Sequence, residues 1–190
     1  IWPELRRAEA NRFAYKLKEH LERSGEFGAI RVTPDETATG DLYILGRIEE
    51  STGEDVEIEI IVLDIAGKVW LTDSFDHEVS EAFHDDLRNE GKDPYEPLFA
   101  EAASEIVEEL NDRSIKERED LHYLADLRFG ANFSEATFMQ YMEVDAGQYT
   151  LTSKPSDEDP MLQRIRAIRV RDQLFIDGLQ DNYSSFSQEM

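Results

Sequence analysis

Apolar spacing along the chain assigns most of its elements. Leu5, Ala8, Phe13, Leu17 and Leu21 recur at helical intervals among Arg, Lys and Glu. This predicts a helix that starts near Pro3, a residue suited to a first turn, and stops at Ser24-Gly25. A short strand is expected over residues 29–33, ended by Pro34. The polar stretch from Asp35 to Gly40 reads as a loop.

Between Asp41 and Val79 the period changes to two. Leu42, Ile44 and Ile48 alternate with other residues before the turn cluster Ser51-Thr52-Gly53. Val56, Ile58, Ile60 and Val62 then fall on one face of a strand, with Asp55, Glu57 and Glu59 on the other. Asp64-Ile65-Ala66-Gly67 supplies turn chemistry ahead of a strand from Val69 to Phe75. Three consecutive antiparallel strands are predicted, with the strand near residue 30 expected as a fourth.

Residues 80–92 are charged and aperiodic. Beyond them a helix is expected from Asp93-Pro94, with Leu98, Ala102, Ile106 and Leu110 as its apolar stripe. Ser114 and Glu117 have capping-box spacing and open another helix, expected to run to Phe133. A short helix should follow between Ser134 and Met142, then a short strand at Tyr149–Thr152. The last element opens at Asp159-Pro160 and continues to about Gln188. The resulting class is α+β: an antiparallel three- to four-stranded sheet with an N-terminal helix packed on it, followed by a mainly helical C-terminal half. The expected division is a sheet domain over 1–113 and a helical extension over 114–190.

Charge narrows the function classes. Among 190 residues, 43 are acidic and 20 basic, giving a net charge of -23. Nucleic-acid binding needs a basic footprint, so no nucleic-acid partner is expected. Only 6 of the 20 basic residues are Lys. An acidic, Lys-poor surface remains soluble at high ionic strength, so the composition fits a salty or extracytoplasmic setting, and equally an ordinary acidic solvated surface, with a cytoplasmic location left open. A direct consequence is that the melting temperature should rise between low salt and about 1 M NaCl, where the Debye length is about 3 Å. A flat or falling melting curve over that range would refute it.

No Cys is present, which removes disulfides, thiolate metal ligands and thiol nucleophiles. No apolar run approaches the length of a membrane span, so no span is expected. The chain opens with Ile1-Trp2-Pro3, and a targeting segment is expected upstream of it.

Sites of chemistry are sparse. His77 and His84 lie among Asp76, Glu78, Asp85 and Asp86, and a hydrolase with a His/carboxylate site around residues 76–86 is one reading. No nucleophile elbow, P-loop or dinucleotide fingerprint occurs. No residue is therefore assigned to catalysis, to a metal or to a cofactor. The last helix carries Arg164, Arg166, Arg169 and Arg171, a candidate partner-binding patch. Asp172 falls on the extrapolated apolar stripe between Ile168 and Phe175, and a buried Asp needs a partner. Arg128 is the first candidate for that ion pair. The stripe Ile165, Ile168, Phe175, Ile176 and Leu179 is expected to dock on the same chain, with Asp177 as an uninvolved neighbour.

The helix ending at Ser24-Gly25, the segment Ile30-Arg31-Val32 and the strand Gly40-Asp41-Leu42-Tyr43-Ile44-Leu45-Gly46-Arg47-Ile48 resemble a group of Gram-negative envelope lipoproteins. These are the curli-secretion lipoproteins, the penicillin-binding-protein activator lipoproteins and the TolB amino-terminal domain. The hairpin from Val62-Leu63-Asp64 to Gly67-Lys68-Val69-Trp70 is also similar to theirs. The resemblance spans roughly residues 4–110. It implies a non-enzymatic periplasmic or outer-membrane-associated interaction domain, possessing another envelope protein as its partner. A structural accessory subunit is a third reading beside the binder and the hydrolase.

Overall fold

The computed structural model describes residues 3–33, 39–80, 83, 89 and 91–189, the side chains of 3, 4 and 181–189 excepted. The element order is α1 (Pro3–Ser24), β1 (Leu42–Ser51), β2 (Asp55–Asp64), β3 (Val69–Glu78), α2 (Glu96–Asn111), α3 (Ile115–Ala131), α4 (Glu135–Phe138), a 3-10 turn (Met139–Tyr141), β4 (Met142–Asp145), β5 (Gln148–Leu151) and α5 (Pro160–Glu189). The class is α+β, with an antiparallel sheet in the order β1-β2-β3 and a separate β4-β5 hairpin.

The chain divides into two compact units. The first holds residues 1–30, 44–62 and 69–112; the second holds 31–43, 63–68 and 113–190. Residues 31–43 and the hairpin turn 63–68 thus belong with the C-terminal half, although the sequence reading grouped them with the sheet.

In the first unit the period-two pattern of β2 is realised. Val56, Ile58, Ile60 and Val62 are buried while Glu57 and Glu59 are half-buried on the opposite face. They share one core with Phe13, Leu17 and Leu21 of α1 and with Leu98, Phe99, Ala102 and Ile106 of α2. Each such aliphatic side chain contributes about 1.5–3 kcal/mol of transfer free energy. Phe13 anchors the helix pair, with edge-on rings of Tyr95 and Phe99 at 5.8 and 5.2 Å. The helical stripe of α1 starts at Phe13, because Leu5 and Ala8 are exposed. α2 begins two residues after Asp93-Pro94. The Asp93 carboxylate accepts the Tyr95 amide and the Arg12 guanidinium, which holds the Asp-Pro step in a turn ahead of the helix.

The second unit has its own core of Ile65, Leu124, Leu127, Phe129, Phe138, Met142 and Ile165. α3 opens with the expected capping box: Ser114 Oγ accepts the Glu117 amide and Glu117 accepts the Ser114 amide. α5 opens on Asp159, whose carboxylate accepts the Met161 and Leu162 amides at 2.8 and 3.0 Å.

Two strand assignments change. Residues 29–33 form no strand and do not join the sheet. This segment instead engages α5: Arg31 donates from Nε and Nη2 to the two carboxylate oxygens of Asp177, at 2.6 and 2.9 Å, and Val32 O accepts from Gln180 at 2.7 Å. Conversely, Tyr149–Thr152 is only half of a hairpin. β4 pairs with β5 through the turn Ala146-Gly147, both with positive φ. The hairpin turn after β2 lies against it, the Ala66 carbonyl accepting the Tyr149 amide. Gly67 (φ 84°) is required there twice over, since an added Cβ would lie 3.0 Å from the Gly147 carbonyl oxygen.

Candidate functional site

The chemistry-bearing side chains of the second unit converge on α3 and α5. On α3, Asp126 sits among Leu124, Ala125 and Leu127, so the helix carries its carboxylate into the core with its apolar neighbours. On α5, Arg166 and Arg169 are one turn apart and share a face. Arg166 Nε donates to Asp126 Oδ2 at 2.8 Å, and Arg169 Nη1 donates to Asp126 Oδ1 at 2.8 Å. Asp126 and Arg169 are both buried, at 1% and 6% exposure.

From this centre the network runs outward along two arms. Arg169 Nη2 donates to Asp41 Oδ1 at 2.9 Å, and Asp41 Oδ2 lies 3.0 Å from His122 Nδ1. Arg166 Nη1 donates to Asp157 Oδ1 at 3.0 Å, and the Tyr123 hydroxyl also donates to Asp157. The Tyr123 ring is within cation–π range of two cations, with Lys154 Nζ 4.6 Å and Arg166 Cζ 5.0 Å from its centre. Lys154 pairs with Asp120 at 2.6 Å. Arg169 Nε is buried with no hydrogen-bond partner among the described residues.

Electrostatics follow the pairing. Partial burial opposes the Asp41 charge, yet hydrogen bonds from His122 and Arg169 outweigh it and hold the carboxyl below its ordinary range. The hydrogen bond to Asp41 raises the His122 imidazole above its ordinary value, against the opposing effect of burial. The two arms of the pair therefore have opposite pH signs. His122 adds stability that is complete below its unfolded pKa of about 6.5 and fades as pH rises through the raised folded value. Asp41 adds stability that is complete above about 3.9 and fades as pH falls through the lowered one. Because His122 is more than half exposed, the effect stays within about 1 kcal/mol. The stability advantage of wild type over His122→Gln should shrink from pH 5.5 to pH 8. Denaturant midpoints with an unchanged or growing gap would remove His122 from the network.

The sequence-predicted residues fare unevenly. Arg166 and Arg169 point inward and are committed to Asp126, Asp41 and Asp157, so the four-Arg patch is not a surface patch. Only Arg164 and Arg171 are exposed. The Asp172–Arg128 pair does not form. Asp172 is exposed, and Arg128 instead donates to the Ile65 carbonyl and stacks 4.0 Å from the Tyr149 ring centre. Asp177, expected to be uninvolved, is the residue that Arg31 clamps. The apolar stripe of α5 docks only in part. Ile165 is buried and Ile168 and Ile176 are half-buried, but Phe175 and Leu179 are exposed at 66% and 52%.

The sequence reading missed Asp41, His122 and Asp126. A signal was available in Leu124-Ala125-Asp126-Leu127, an acid inside an apolar run, with Arg166 and Arg169 at helical spacing elsewhere. In the candidate region 76–86, His77 is half-buried, while His84, Asp85 and Asp86 lie outside the described residues. Among the described residues no cluster of His, Asp and Glu could hold a metal ion, and no helix is long and apolar enough to cross a membrane. No family model, curated protein or solved structure matches the chain.

Proposed function

We propose that this protein is a non-enzymatic, envelope-associated interaction domain, of the kind found as the soluble part of an outer-membrane lipoprotein, and that the distal half of α5 is its binding face. One observation carries the reading: Phe175 and Leu179, one turn apart on the same face of the helix, are both more than half exposed. Large apolar side chains grouped on a surface mark interaction sites, whereas scattered ones do not. The charged network next to this face supports the same reading. Its carboxylates and guanidiniums are bound to one another, leaving little of the acid–base freedom that catalysis requires. The acidic, Lys-poor composition and the resemblance over residues 4–110 support the extracytoplasmic setting.

The test uses the full-length protein in its source cells, with a photo-crosslinking residue at position 175 or, as a control, at position 57 on the wet face of β2. The protein should fractionate with the envelope and crosslink to another protein from position 175 only. Cytosolic fractionation, or equal crosslinking from both positions, would overturn the proposal.

A further inference from the structure

α5 contains a seven-residue repeat that the fold of the chain uses only at one end. Met161, Ile165, Ile168, Asp172, Phe175 and Leu179 recur at alternating spacings of four and three, the pattern of a coiled-coil seam. Ile165 is buried in the second unit, yet Asp172, Phe175 and Leu179 are exposed. The residues that α5 turns inward are Leu162, Ile165 and Arg169, with Ile168 half-buried at the edge of the same core, so the seam from Asp172 onward and the open side of Ile168 are left over from intramolecular packing.

From this pattern we infer that the outer face of α5 pairs antiparallel with the same face of a second copy of this chain. This deepens the binding-face reading above and rests on it. The argument for a second copy is self-complementarity. At about 100° per residue, Arg164, Ile168, Arg171, Asp172, Phe175 and Leu179 share an arc of about 100°. A two-fold axis beside Arg171 and Asp172 places each Arg171 opposite the second copy's Asp172. The same register places Ile168 opposite Phe175, and the aliphatic stem of Arg164 over Leu179. One alignment thus matches opposite charges and apolar groups twice over, as an isologous interface requires. Neither Arg171 nor Asp172 enters an ion pair among the described residues. Val170 and Leu174 lie on the other flank of the helix, outside this arc.

One face of a single helix should bury less than the roughly 800 Å² per partner of a standard complex, so a weak dimer is expected. Each copy carries -23, so association should tighten as salt rises. Sedimentation equilibrium of the intact chain in about 1 M NaCl, where the Debye length is about 3 Å, reads this directly. Wild type should show a concentration-dependent dimer that loosens at low salt. Phe175→Glu should raise the dissociation constant at least about tenfold, the scale of an interface hot spot. Val170→Glu should leave it unchanged. Arg171→Asp should weaken the dimer, and the double variant Arg171→Asp/Asp172→Arg should restore it. Circular dichroism of each variant checks that the exposed substitutions leave the fold intact.

A wild type that is monomeric at every concentration would overturn the inference, as would a dimer indifferent to Phe175→Glu or one broken equally by Val170→Glu. The photo-crosslink separates this failure from that of the broader reading. If the chain is monomeric yet position 175 still crosslinks to a different envelope protein, only the second-copy assignment falls. If it is monomeric and position 175 crosslinks to nothing, both fall.

Discussion

Asp126→Ala should destabilise the protein by about 3–5 kcal/mol, the scale for removing one partner of a buried ion pair. The carboxylate is almost fully buried and accepts from two guanidiniums, Arg166 and Arg169, each at 2.8 Å. Its removal leaves Arg169, itself buried, with only Asp41 as counter-ion among the described residues. The loss comes from an uncompensated buried cation more than from the attraction forfeited, because desolvation offsets most of a buried pair's Coulomb energy. The triple variant Asp126→Leu/Arg166→Met/Arg169→Met removes both sides of the arrangement and should recover much of that stability. Asp172→Ala, at an exposed position on the same helix as the two arginines, should shift stability by no more than about 0.5 kcal/mol. Denaturant midpoints decide the matter: equal midpoints for Asp126→Ala and Asp172→Ala would show that the network contributes nothing.

Two helical glycines should respond to alanine with opposite signs. Ala is favoured over Gly inside a helix by about 1 kcal/mol, so Gly178→Ala in α5, where an added Cβ meets nothing within 4 Å, should stabilise by up to that amount. Gly130→Ala in α3 should destabilise. There the Cβ would lie 2.9 Å from three carbons of the Phe138 ring, and Phe138 is 1% exposed in the core of the second unit. Neither partner has room to yield, and overpacking of this kind typically costs about 1–3 kcal/mol, which exceeds the propensity gain. Replacing the ring in Gly130→Ala/Phe138→Leu should return part of the loss. Thermal melts of the two single variants that move in the same direction would contradict the close approach of α3 and α4.

The candidate site was legible in kind and not in place. A buried acid–arginine arrangement does join α3 and α5, but with the roles reversed: the acid is Asp126 on α3 and the arginines are Arg166 and Arg169 on α5. Extrapolating the stripe through Ile168 to Phe175 placed Asp172 inside. The helix surface facing the core is instead marked by Leu162, Ile165 and Arg169, and that choice depends on where α3 lies. Asp126 lies inside the apolar run Leu124-Ala125-Asp126-Leu127, whereas Asp172 stands between Arg171 and Gln173 and has apolar neighbours only at helical spacing, so the immediate neighbours carried the signal that the extrapolated stripe did not. Asp41 and His122 stand 81 positions apart, and nothing in either neighbourhood indicates the other.

By itself the sequence determined the elements whose causes are local. The alternation of Val56, Ile58, Ile60 and Val62 dictates which face of β2 is buried, since a one-residue slip would put Glu57 and Glu59 inside. Ser114 and Glu117 satisfy each other's backbone amides within one turn, and Asp159 caps α5 in the same local way. Tertiary structure alone decided what hinges on long-range partners. Residues 29–33 have strand-forming side chains, yet Arg31 and Val32 bond to α5, so no ladder forms there. Arg166 and Arg169 are inward because the shared carboxylate of Asp126, with Asp157 for the first and Asp41 for the second, offsets their desolvation. Phe175 and Leu179 remain outward because the contacts that hold that stretch of α5, from Arg31 to Asp177 and from Val32 to Gln180, are polar and leave its apolar side uncovered.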